Sequence, residues 1–198
     1  MGQIFKRAEQ YLDKIDAGIF VEIGSSRDGD DGSTNVIASW AQERKKPLVT
    51  VDIDPQVCKA LEGKVLSNVS VVNSTGEDYL RSYDGAGPIS FLYLDNFDWD
   101  WHPMNTESFV LEQQVRYKQL GRTMTNLTSQ MAHLNQAILA MPYMALRSLI
   151  VCDDTWYNEH WGHYSGKSGA AIPYLIGQGY RILETEENPV YGTILGRL

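Results

Sequence analysis

Cysteine is scarce in this chain: Cys58 and Cys152 are the only two in 198 residues, too few for a disulfide framework. Cys152 lies in an apolar run, where a buried thiol is its expected role. Positive charge is also in deficit. Seventeen Lys and Arg against 25 Asp and Glu leave a net charge of −8, which argues against nucleic acid or an anionic membrane as the main partner. No apolar run reaches transmembrane length, and the opening MGQIFKRAEQYLDKID is too polar for a signal peptide, so a cytoplasmic setting is expected. Internal repeats and low-complexity linkers are missing as well. What remains is a chain with the size and the 43% hydrophobic content of one domain, residues 1–198, able to bury a layered core.

The chain is organised around residues 20–34, FVEIGSSRDGDDGST. Val21 and Ile23 close a run suited to a buried parallel strand, and Gly24, Gly29 and Gly32 permit tight turns and a close approach of backbone to a ligand. Ser33 and Thr34 can cap a helix that Val36, Ile37, Trp40 and Ala41 continue. Strand, loop and helix start in that order make a nucleotide-type site. The loop lacks the Gly-Lys-Ser/Thr of a P-loop, and Ser26 stands where a dinucleotide fingerprint needs its second glycine. Asp28, Asp30 and Asp31 at the helix start would repel phosphate, so an uncharged or cationic ligand fits better. Those acids do not follow the alternate positions of a calcium loop either.

Taken in order, residues 3–16 put Ile4, Phe5, Ala8, Tyr11, Leu12 and Ile15 on one helical face, to pack on a sheet or cover the ligand. Pro47 to Ile53 reads as a second strand, ending in Asp52, and Pro55 opens a short helix. Val69 to Asn73, Ile89 to Asp95 and Ser148 to Asp153 are the third to fifth strands, with Tyr180 to Glu184 and Val190 to Leu195 a final pair. Helical stretches between strands indicate a doubly wound, mostly parallel seven-stranded α/β sheet. The short link between the last two strands makes the final one antiparallel. Over fifty residues separate the fourth and fifth strands. Leu127 to Leu146 is the expected crossover helix, with Leu127, Met131, Leu134, Ile138 and Leu139 on its buried face. The stretch before it, about 103–126, is a helical insertion expected to cover the site, to join two copies as a homodimer, or simply to pack.

These residues resemble a class I S-adenosylmethionine-dependent methyltransferase. Glu22-Ile-Gly24 followed by Gly32-Ser33-Thr34 is similar to the first motif of that family, though in a longer loop, and Asp52 in VTVDID is similar to its acid after the second strand. GKSGAAIPYLIGQGYRILE resembles its last helix and sixth strand. The resemblance implies a Rossmann-like methyltransferase fold that binds S-adenosylmethionine. Glu22, Gly24, Ser25, Ser26, Gly32, Ser33 and Thr34 would form the methionine end, Asp52 would take the ribose hydroxyls, and Ser74, Thr75 and Glu77 the adenine, with Asp95 at the donor's edge. An acidic loop suits a sulfonium and an ammonium group.

Asp95 ends the fourth strand, and Asp153 and Asp154 end the fifth, so all three should emerge at the ligand edge of the sheet. Hard oxygen ligands of this kind suit magnesium or another divalent cation, and the same acids can serve as caps and turn formers. The pattern resembles metal-dependent O-methyltransferases of the catechol, caffeoyl-CoA and macrolide-sugar types, whose ion holds the acceptor oxygens and lowers the pKa of the attacking hydroxyl. The lysine those catechol-type enzymes carry after the first acid is missing from residues 96–102. A general base would then be His102 or Asp98, with Asp100, His160 and His163 as further candidates. Trp99, Trp101, Trp156 and Trp161, with Phe97, Tyr157 and Tyr164 beside them, lie in the segments after the strand-end acids and favour a small-molecule acceptor, aromatic or sugar-containing. The expected activity is methyl transfer to a hydroxyl. A metal-free N- or O-methyltransferase and a non-catalytic nucleoside-binding module are the alternatives.

Overall fold

The computed structural model describes residues 4–26, 32–84, 87–100, 108–186 and 191–198. Five strands run parallel: β1 (Ile19–Ile23), β2 (Leu48–Asp52), β3 (Val69–Asn73), β4 (Ile89–Leu94) and β5 (Met144–Asp153). A small hairpin follows, made of β6 (Thr155–Asn158) and β7 (His163–Gly166). The main sheet is completed by β8 (Arg181–Glu186) and β9 (Gly192–Arg197), in the order β3-β2-β1-β4-β5-β9-β8, with β9 antiparallel to both neighbours. The helices are α1 (Ile4–Arg7, continued as a 3-10 helix over Ala8–Lys14), α2 (Ser33–Glu43), α3 (Pro55–Leu61), α4 (Gly76–Arg81), α5 (Ser108–Gln119), α6 (Asn126–Ala140) and α7 (Ala171–Gly177). No helix among the described residues is long and apolar enough to cross a membrane.

Side-chain alternation along the strands divides the core in two. Val21, Ile23, Leu92, Leu94, Ile150 and Cys152 face α4, α6 and α7, where they meet Leu80, Ala137, Ala140, Ile172 and Leu175. Phe20, Phe91, Tyr93, Leu149, Val151 and Ile194 face the other way, onto Ile4, Phe5, Ala8 and Leu12 of the leading helix and onto Ile37, Trp40 and Ala41 of α2. The leading helix therefore packs on the sheet. Both cysteines are buried and free.

Two expectations need correcting. The crossover helix stops at Ala140, and Met144 to Leu146 already belong to β5. Pro142, which has no N–H to give a continuing helix, sits in the 3-10 turn between them. The buried face of α6 is also different: Ser129, Ala132, His133, Gln136, Ala137 and Ala140 point inward, whereas Leu127, Met131 and Ile138 are exposed. Small residues such as Ala132, Ala137 and Ala140 allow α6 to approach α4 and α7 closely, while Leu134 and Leu139 of the expected face are half-buried against the same core.

Candidate active site

The carboxyl ends of β1, β2, β3 and β4 open into a cavity of about 350 Å³. Its walls include Gly24, Ser25, Ser26, Asp52, Ser74, Thr75, Glu77, Asp95 and Asp98. At Gly24 the backbone adopts φ +96°, and a Cβ there would strike the Asp95 and Asn96 backbone, so the floor is bare main chain. The Asp52 carboxylate is held at both oxygens: Oδ1 accepts from the Asp54 amide at 2.7 Å and Oδ2 from the Ser25 amide at 3.2 Å. A carboxylate carries about four acceptor sites in all. Thr75 caps α4, taking the Asp78 amide at 3.0 Å, and Glu77 accepts from Gln136 Nε2 at 3.1 Å.

Glu22 is not in the cavity wall. Along β1 it shares a face with Phe20, so it points under the start of α2 and is fully buried. Ser33 Oγ donates to its Oε1 at 2.6 Å, and Thr34 Oγ1 and Thr50 Oγ1 each donate to Oε2 at 2.7 Å. Burial, only partly offset by these three donors, pushes the carboxyl up to about 7. The N-cap of α2 is Gly32, and the hydroxyls of Ser33 and Thr34 serve Glu22 instead of capping the helix. Thr34 Oγ1 also takes the Ser26 amide at 2.9 Å, so this cluster shapes the ligand loop from beneath.

At the acceptor side, Asp95, Asp153 and Asp154 converge as their strand ends require. Their common partner is an ammonium group. Lys167 Nζ lies 2.8 Å from Asp95 Oδ1, 3.0 Å from Asp154 Oδ2 and 4.0 Å from Asp153 Oδ2. Its side chain is 5% exposed and reaches the cavity wall. Burial alone would lower its pKa, but Asp154, Asp95 and Asp153 together hold it well above the ordinary lysine value. Burial, with repulsion from Asp95 and Asp154, raises the Asp153 carboxyl well above the usual range. Among the described residues no group of His, Cys, Asp and Glu is arranged to hold a metal ion. The expected divalent site is thus filled by the chain's own lysine, and these residues do not fit an ion.

Behind Lys167 stands His133 of α6, fully buried. Its Nε2–H donates to the Asn96 carbonyl at 2.6 Å, and its Nδ1 accepts from Ser168 Oγ at 2.5 Å. Burial, aided by the Lys167 charge, drives its pKa down to about 4, so it ties the two loops together as a neutral ring. The insertion closes the cavity on the β2 side. Arg116 of α5 forms an ion pair with the buried Asp54, which also caps α3. Tyr117 accepts from the Phe97 amide at 3.0 Å and stacks on the Phe97 ring, centroids 4.7 Å apart and planes 6° from parallel.

No protein-family model and no curated protein matches this chain. Its three-dimensional structure, however, is similar to several solved methyltransferases. The O-methyltransferase NovP gives a TM-score of 0.58 at 8% identity, over 98% of this chain and 79% of that one. An rRNA methylase from Streptococcus thermophilus gives 0.52 at 10% identity over 100% and 98%. The N-methyltransferase NodS from Bradyrhizobium japonicum, solved with S-adenosyl-L-homocysteine, gives 0.51 at 12% identity over 98% and 84%. The fold is a Rossmann-like methyltransferase fold.

On this methyltransferase scaffold the predicted residues divide. Gly24, Ser25, Ser26, Asp52, Ser74, Thr75, Glu77, Asp95 and Asp98 line one cavity, while Glu22, Gly32, Ser33, Thr34, Asp153 and Asp154 are not among its lining residues. His102, Trp101, Gly29 and the loop acids Asp28, Asp30 and Asp31 lie outside the described residues. Of the aromatics expected to face an acceptor, Trp99 and Trp156 meet edge to face at 6.5 Å away from the cavity, and Trp161 is exposed. The aromatic walls are Phe97, one of the expected residues, and Tyr117, which was not among them. Lys167, Gln113, Tyr117 and Arg122 were not anticipated as lining residues. One signal existed for Lys167: it is the only lysine after Lys118, directly following a glycine in an otherwise small and apolar stretch.

Proposed function

We propose that this chain is a methyltransferase that moves the methyl group of S-adenosylmethionine to a hydroxyl of a small organic molecule. The observation that carries the donor half is Asp52, a buried carboxylate in the cavity wall next to the bare backbone of Gly24. S-adenosylmethionine supplies, when bound, an electrophilic methyl group on a positively charged sulfur. Gly24, Ser25 and Ser26 would hold its methionine part, in a cavity whose acids favour a cation. Asp52 would accept from the ribose hydroxyls, and Ser74, Thr75 and Glu77 would meet the adenine. Asp98, which lines the same cavity, is the carboxylate assigned to take the acceptor's proton. An aromatic or sugar-containing acceptor is supported by the flat face of the Phe97–Tyr117 stack.

Calorimetry tests the donor half. S-adenosylmethionine and S-adenosylhomocysteine should bind, and NAD should give no heat. Asp52→Ala should weaken the donor by about 30- to 1000-fold, the loss of charge-assisted hydrogen bonds worth about 2–4 kcal/mol. Binding of NAD with no heat from either methionine nucleoside would overturn the reading.

A further inference from the structure

The hairpin between β5 and α7 has a specific product. β6 leaves the acidic strand end, β7 returns, and their register pairs Thr155 with Gly166, which brings Lys167 back opposite Asp154. The Lys167 amide then donates to the Asp154 carbonyl at 3.0 Å. Gly166 makes this possible with φ +88°, since any Cβ there would collide with that carbonyl. On the far side, the Ser168 amide donates to Thr155 Oγ1 at 2.9 Å, and the Ser168 hydroxyl is tied to His133. Lys167 is therefore anchored on both flanks, and its ammonium is aimed among three carboxylates from two strand ends.

We propose that Lys167 is the resident cation of the acceptor side, occupying the position a divalent ion would take, so that the site works without metal and takes its acceptor through a single O–H or N–H. The acceptor clause rests on the methyl-transfer reading; the cation clause does not. An ammonium at 2.8–3.0 Å from Asp95 and Asp154 uses the lone pairs that an ion needs, and metal–oxygen bonds of about 2.0–2.6 Å leave no room for both. To admit an ion, Lys167 would have to withdraw from a buried position while both flanking residues stay bonded. The spacing supports the same conclusion: Asp95 and Asp154 stand within 3.0 Å of the ammonium and Asp153 at 4.0 Å, so the cation already faces all three acids. One of its protons is donated to Asp95, its charge is paired with Asp154, and the group reaches the cavity wall. A divalent ion can bind two adjacent acceptor oxygens at once; one N–H cannot. Vicinal dioxygen compounds should thus have no advantage over acceptors with one reactive group.

The test uses the full chain stripped with a chelator and titrated with manganese. The wild type should keep its melting temperature within about 1 °C in chelator or in millimolar manganese. Lys167→Ala frees the acids, so it should gain saturable manganese binding and a rise in melting temperature of about 5 °C or more at a hundredfold excess over Kd. Asp154→Asn in that background should abolish the gain. Saturable manganese binding by the wild type that Asp154→Asn removes would overturn the proposal, as would a folded Lys167→Ala protein that takes up no ion. Should Lys167→Ala fail to fold with or without manganese, the wild-type titration decides alone: Asp154-dependent binding overturns the proposal and its absence upholds it. S-adenosylhomocysteine binding is read on the same samples. Its loss in the wild type would sink the methyl-transfer reading while leaving the cation result intact.

Discussion

A carboxyl buried under a helix start and an imidazole buried between two loops should oppose each other as pH changes. Glu22 is raised from an ordinary 4.5 to about 7, so the folded chain keeps a proton that the unfolded chain releases. Its contribution is present in full below pH 4.5 and is lost as pH rises through about 7. His133 is lowered from 6.5 to about 4, so the unfolded chain takes a proton that the folded one refuses. Its contribution is present above pH 6.5 and is lost as pH falls through about 4. Each slope is about 1.4 kcal/mol per pH unit, and across the shared window from 4.5 to 6.5 they cancel. Glu22→Gln should remove its falling slope: relative to the wild type, the urea unfolding free energy of the mutant should rise by about 3 kcal/mol across that window. A mutant whose pH dependence matches that of the wild type would rule Glu22 out. Gly166→Ala should cost about 2–4 kcal/mol, combining a left-handed backbone with a collision against the Asp154 carbonyl. The position of Glu22 was legible in the sequence but its direction was not, because IFVEI is buried on both faces and no alternation shows which way the acid points. Lys167 was harder still, since its partner Asp95 is 72 residues away in the chain.

Among the elements, α5 offers the clearest test, because it is joined to the sheet edge by few contacts with separate functions. Arg116 reaches the buried Asp54, and Tyr117 supports Phe97, whose backbone sits at φ +61°. Burial opposes the charged form of Asp54, yet the Gln56 amide and the Arg116 guanidinium hold its carboxyl below the usual range. Arg116→Ala should therefore loosen α5 without unfolding the sheet. Hydrogen exchange should speed up over residues 108–119 first, and S-adenosylhomocysteine affinity should fall about 5- to 30-fold, as expected for a partly buried ion pair worth about 1–2 kcal/mol. Uniform acceleration over the whole chain would mean that α5 is part of the core. Strands such as Val69–Asn73 were readable because a short apolar run between polar turns has few alternatives. The hairpin was not readable: Thr155–Gly166 carries no Asn-Gly or Asp-Gly turn, and its aromatics suggested a pocket. The face of α6 was misjudged because hydrophobicity marks what tends to be buried, whereas a close helix contact selects for small size.

For the molecule as a whole, charge bears on the class of acceptor. A net charge of −8 offers little to offset phosphates, so an RNA oligonucleotide at physiological salt should bind no tighter than about 0.1 mM, the weak limit of non-specific association. Fluorescence anisotropy would detect a tighter complex and with it a wrong acceptor class. The order of strands in the sheet has a separate consequence, for synthesis. β9 lies between β5 and β8, and α1 packs onto it, with Ile4 against Gly192. A nascent chain on the ribosome can pair its first five strands as they emerge, but residues 181–186 have no hydrogen-bonded strand partner until 192–197 follow them. Until then the edge of β5 is bare and the leading helix has only part of its seat. A chain stalled before residue 192 should therefore be cut readily by protease within 181–186 while 48–94 resists, and a chaperone that shields strand edges has its substrate in that interval.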